Sequence, residues 1–123
     1  MKGIPFIKLL IISLFCGLSV LAGCQSDPDL ASAPELSFRD DIQPILSGNC
    51  TMSGCHSHSG ESVFPLDSYD DVASRVKPGN ARGSELYKVV ANRSDRLMPP
   101  SGPLADADIQ RLYIWIEQGA KNN

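Results

Sequence analysis

The side chains whose types and spacing suit chemistry are gathered in Cys50-Thr51-Met52-Ser53-Gly54-Cys55-His56, two thiols in one short stretch with an imidazole directly after the second. Two such thiols can add to the two vinyl groups of one haem, and the histidine that follows is then brought under the iron as an axial ligand. Four residues separate the cysteines where two is the usual number, so the loop has to bulge outward, with Ser53-Gly54 supplying the freedom. Plainer uses exist for the same residues. Cys50 and Cys55 could pair as a disulfide in an oxidising compartment, or join His56 and His58 around zinc. Ligands at adjacent positions such as Cys55 and His56 rarely point at one metal, and no second Cys/His pair follows. Haem attachment is therefore the favoured reading, with His58 a solvated loop residue.

A low-spin electron carrier needs a second axial ligand. Met98, in Arg96-Leu97-Met98-Pro99-Pro100-Ser101-Gly102-Pro103, is the candidate, because the prolines after it stiffen the loop and direct the thioether. Met52 is trapped inside the attachment loop, and His58 is only two residues from His56. The alternatives for Met98 are core packing or an iron left open on that side. With His56 and Met98 both on the iron no substrate position remains, so the chemistry expected is outer-sphere electron transfer and not catalysis. A thioether ligand, with burial among Leu66, Leu86 and Leu97, favours ferrous iron and a relatively high potential. Arg82, Ser84 and Lys77 are the candidates for binding haem propionates.

These groups have to be carried to an oxidising compartment and held there. Residues 1–23 have the form of an export signal, with Lys2 and Lys8 ahead of an apolar run from Leu9 to Leu21 that is too short to span a bilayer. Cys16 lies inside that run and leaves with it. Leu21-Ala22-Gly23-Cys24 resembles the lipobox of bacterial lipoproteins, which implies acylation of Cys24 and a lipid anchor on a membrane. Residues 24–36, with Pro28, Pro34 and small polar residues, read as a flexible tether. The pair Ser26-Asp27 resembles the acidic export signals of some Bacteroidetes lipoproteins, which implies the cell envelope, at the periplasmic face of the outer membrane or the cell surface. Loss of Lys2 and Lys8 from the 11 basic residues leaves nine against 14 acidic ones. Nothing in that balance favours nucleic acid, and an acidic surface can steer a basic redox partner.

From residue 37 the spacing is helical throughout. Phe38, Ile42, Ile45 and Leu46 share one face behind a Ser37 N-cap, and Pro44 must kink or restart that helix. A second helix is expected over Tyr69 to Val76 behind Ser68, closed by Pro78-Gly79. A third is expected over Glu85 to Ala91, capped by Gly83 or Ser84. The last carries the stripe Ile109, Leu112, Tyr113 and Ile116, with Asp106 and Asp108 at its start and Gly119 at its end. No stretch alternates apolar and polar residues, so the domain expected is all-α, and a chain this short gains from packing on a cofactor.

Phe38-Arg39-Asp40-Asp41-Ile42-Gln43-Pro44-Ile45-Leu46, the cysteine motif, Ser68-Tyr69-Asp70-Asp71-Val72, Lys77-Pro78-Gly79-Asn80, Leu97-Met98-Pro99-Pro100 and Trp115-Ile116-Glu117-Gln118-Gly119-Ala120 together resemble the planctomycete-type branch of class I cytochromes c. The resemblance covers residues 37–123, and c-type cytochromes with four residues between the cysteines occur. It implies a small helical domain around one haem c, held covalently by Cys50 and Cys55, with His56 and Met98 on opposite faces. It also implies that the first and last helices cross, with Tyr113 and Trp115 packed near that crossing or the haem edge. Three other readings are carried alongside: a haem-bearing accessory subunit of a larger envelope complex, a peroxidase in which Met98 leaves the iron, and a structural zinc or disulfide domain.

Overall fold

Ser37 caps the first helical segment as its type suggests: its hydroxyl accepts from the Asp40 N–H (3.3 Å), while the Asp41 carboxylate accepts from the N–H of Ser37 itself (2.8 Å). The computed structural model describes residues 27–52, 54–59 and 64–123, so the export signal and Cys24 lie outside the described residues. After Ser37 the chain makes one wide π-type turn, Phe38–Ile42, and then runs into α1, Gln43–Asn49. Pro44 accounts for the change of pitch. It has no N–H to give, and its ring crowds the carbonyl of Asp40, so the wide turn absorbs the mismatch and Pro44 falls in the first turn of α1, where an intrahelical donor is not required. Phe38, Ile42, Ile45 and Leu46 are all buried, on the face their spacing defines.

Helix α2, Tyr69–Ala73, is capped by Ser68, whose hydroxyl accepts from the Asp71 N–H and donates to the Asp71 carboxylate. It ends three residues before the expected Val76. Ser74 Oγ donates to the Asp71 carbonyl (2.6 Å), and the Arg75 carbonyl is taken by the Leu86 N–H (3.1 Å), so the chain is pulled out of the helix toward the next element. Val76 is buried all the same.

A 3₁₀ turn, Ala81–Gly83, precedes α3, Glu85–Val90. Ser84 occupies the N-cap position of α3 but does not cap it. Its hydroxyl, fully buried, turns back to accept from the Lys77 N–H (2.8 Å) and donate to the Asn80 carbonyl (2.8 Å). Ser84→Ala leaves a buried donor and a buried acceptor without this partner and is expected to cost about 1–3 kcal/mol. Urea unfolding of the two proteins measures it, and a loss under about 0.5 kcal/mol would show that water replaces the hydroxyl.

Helix α4, Asp106–Glu117, is the longest element, and it buries Leu112, Tyr113, Trp115 and Ile116. It closes in a Schellman motif: Gly119, at φ +101°, donates to the Ile116 carbonyl, and Ala120 donates to the Trp115 carbonyl. Trp115 lies against Phe38 (5.6 Å between ring centroids), and Phe38 meets Tyr69 edge-on at 5.2 Å, so the opening turn, α2 and α4 share one aromatic cluster.

The two ends of the described chain are fastened across this cluster. Leu36 N–H donates to Gln118 Oε1, Gln118 Nε2 donates to the Pro34 carbonyl, and Phe38 N–H and Ser37 Oγ both bind Asn123. Within the segment expected to act as a tether, Leu36 is buried and Asp27 pairs with Arg82. Among the described residues the fold is all-α, with four α-helices and no strand, and no helix there is long and apolar enough to cross a membrane.

Candidate functional site

The cysteine loop begins where α1 stops. Cys50 and Thr51 both donate to the Leu46 carbonyl, and the loop then closes on itself: Cys55 N–H donates to the Met52 carbonyl and His56 N–H to the Cys50 carbonyl, each at 2.9 Å. Between the thiols, Met52 and Gly54 stand outward. Gly54 is exposed at φ +83°, and Met52 is 51% exposed. Only the side of the loop that carries the thiols and His56 faces the domain.

Both thiols are free, Cys50 buried and Cys55 half-buried. Burial, with Cys55 close by, pushes the Cys50 thiol up to about 11, so it keeps its proton throughout the neutral range. His56 is held from behind. Its Nδ1 lies 3.0 Å from the Phe64 carbonyl, its ring stacks on the Phe64 ring at 4.9 Å, and its own carbonyl accepts from the Leu66 N–H. A carbonyl can only accept, so Nδ1 carries the proton and the lone pair of the neutral ring resides on Nε2, the arrangement by which second partners orient a ligating histidine.

Met98 is positioned through its backbone. Its N–H donates to the Val89 carbonyl at the end of α3 (3.0 Å), and a cis Met98–Pro99 bond follows. His56, Met98 and Cys50 line the same two cavities. One, of about 70 Å³, has walls of Leu66, Leu86 and Val90. The other, of about 280 Å³, adds Cys55, Pro99 and Pro100.

No family model, no curated protein and no solved structure matches this chain.

The donor set suits an iron porphyrin: two thiols for covalent attachment, an imidazole nitrogen and a thioether for the metal, and apolar walls for the ring. Both cavities fall short of the roughly 300–1,000 Å³ of pockets that bury drug-sized ligands. The two cavities share Cys50, His56 and Met98, so they are parts of one crevice beside the paired thiols.

Zinc fits less well. His58 turns its imidazole to Asp67 through Nδ1 and lies 3.8 Å from Asp71 through Nε2, away from Cys50, Cys55 and His56. Among the described residues, the His58, Asp67 and Asp71 ligand atoms do lie within 4.8 Å of one another, but neither cysteine belongs to that group. His58 is the exposed loop residue expected, with its ring beside the Asp67 carboxylate. Leu97 is corrected: at 39% exposed it is no wall of the crevice, and Val90 takes that part.

Of the three residues expected to meet propionates, Arg82 is engaged with both oxygens of Asp27, and Ser84 is committed to its own turn. Lys77 lines a separate cleft of about 550 Å³. Two residues that sequence reasoning passed over stand nearer. Arg75 and Arg96 line both this cleft and the smaller cavity. The Arg75 guanidinium lies over the Phe64 ring (4.1 Å to the centroid), its Nη1 reaches Glu85 at 3.3 Å, and its Nε is buried with no hydrogen-bond partner among the described residues.

Proposed function

We propose that residues 37–123 are a monohaem c-type cytochrome domain that carries single electrons, and that Cys24 bears the lipid which anchors it in the cell envelope. One observation carries the reading: His56 and Met98, 42 positions apart in sequence, line the same two cavities together with Cys50 of the paired-thiol motif. The resemblance of residues 37–123 to the planctomycete-type class I cytochromes c supports it further.

Haem, when bound, supplies a one-electron ferric/ferrous couple. The chain's own residues do the rest. Cys50 and Cys55 would hold the group, each S–H adding across a vinyl C=C with sulfur on one carbon and the hydrogen on the other. His56 offers Nε2 to the iron, and the Phe64 carbonyl keeps the Nδ1 proton in place, which fixes the ring and makes it a better donor. Met98 offers its thioether from a loop secured to α3. Leu66, Leu86 and Val90 exclude water, which disfavours the extra charge of ferric iron and raises the potential. With His56 and Met98 as its ligands the group would exchange electrons with a partner protein and bind no substrate, and the acidic surface left after signal removal would suit a basic partner.

The test is expression of the full chain with a c-type maturation system, followed by denaturation and acidic organic extraction. Haem is expected to stay with the polypeptide, and to be extracted when both Cys50 and Cys55 are serine. A haem-free chain made beside a correctly matured control cytochrome would remove the reading.

A further inference from the structure

The cleft beside the crevice gathers basic side chains. Arg75, Lys77, Lys88 and Arg96 line it against Glu85 and Asp95 alone. Four of its residues, Arg75, Glu85, Val89 and Arg96, also line the smaller cavity that His56 and Met98 share, so they form the partition between cleft and crevice.

Arg75 is the centre of that partition and is incompletely bonded. Glu85 takes Nη1, Phe64 lies under the guanidinium plane, and Nε–H is buried without an acceptor among the described residues. A buried donor on a permanently charged group calls for an acceptor, and a carboxylate makes the strongest one. Neither Glu85 nor Asp95 supplies one to Nε. An acceptor arriving with a ligand in the crevice would.

We infer that Arg75, with Arg96 beside it, receives a propionate carboxylate of the haem, so that the acid edge of the ring faces this cleft. The inference rests on the haem reading and adds the orientation of the group and the residues that select it. Arg75 is then a binding residue, and Phe64 joins its two halves: the Phe64 carbonyl orients His56, and the Phe64 ring supports the guanidinium.

The experiment compares two probes on the full chain in detergent micelles, prepared without haem: ferric protoporphyrin IX and its dimethyl ester, which lacks the carboxylates. The ratio of their affinities, followed by absorption, cancels differences in micelle partition between variants. Arg75→Leu is expected to lower the preference for the free acid about tenfold while changing ester affinity less than about twofold. Arg96→Gln, at an exposed position where folding is not at stake, is expected to lower the preference about threefold. Equal losses for acid and ester in Arg75→Leu, or an unchanged ratio in both variants, would overturn the assignment and leave Arg75 as a prop for Phe64. Failure of either porphyrin to bind the unaltered chain is a different result, and it removes the haem reading together with this inference.

Discussion

Trp115→Ala is expected to bring the haem-free domain close to unfolding at room temperature. Trp115 is fully buried, packs against Phe38 at the junction of the opening turn with α4, and donates its indole N–H to the Lys121 carbonyl (3.0 Å). Emptying such a site costs about 3–5 kcal/mol. Small domains start from a total near the lower end of roughly 5–15 kcal/mol, so little remains. Circular dichroism should show the melting temperature falling by about 15–30 °C, at about 4–8 °C per kcal/mol for a domain of this size. Trp115→Phe, which keeps a ring against Phe38, is expected to lose about half as much. A fall of less than about 5 °C for the alanine variant would mean that the cluster of Phe38, Tyr69 and Trp115 does not hold the fold.

The second large effect is expected in the crevice. Met98→Ala in the matured protein should leave haem covalently attached through Cys50 and Cys55 while opening the iron to added ligands. Cyanide or carbon monoxide, bound weakly by the parent protein, should then bind at least about tenfold more tightly. The midpoint potential should fall at the same time, because the thioether's preference for ferrous iron is lost. The backbone has no reason to rearrange, since the bond from Met98 N–H to the Val89 carbonyl does not involve the side chain. An unaltered spectrum with no gain in ligand binding would remove Met98 from the iron. Ready binding of those ligands by the parent protein would point instead to an open iron site and the peroxidase reading.

Much of the helical frame could be read from residue types, because its signals are local. Ser37 and Ser68 cap the helices they precede, and Pro44 changes the pitch where it must. Gly119 ends α4 with a positive φ. The cysteine loop was legible for the same reason, all its chemistry lying within seven consecutive residues. What escaped depends on partners distant in sequence. Ser84 has the type and position of a helix cap, and only the approach of Lys77 and Asn80 diverts its hydroxyl. The early end of α2 is set by Leu86, eleven positions beyond Arg75. Arg75 belongs to no motif, and its place between crevice and cleft exists only once α3 and the cysteine loop are side by side. The contact of His58 with Asp67 also could not be read ahead, because the intervening turn brings the two together.

The fastening of residues 34–38 to Gln118 and Asn123 sets the topology of any opening motion. These hydrogen bonds join positions up to 86 apart, so the chain between them is a closed ring that contains Cys50, His56, Arg75 and Met98. Loop-closure entropy rises only with the logarithm of length, so closing so long a ring costs little more than closing one half its size. The crevice walls can part as a partial unfolding that leaves the junction of the opening turn with α4 intact. Amide exchange in the two crevice loops is then expected to be faster than at the closure itself, which hydrogen-exchange rates at both places would check.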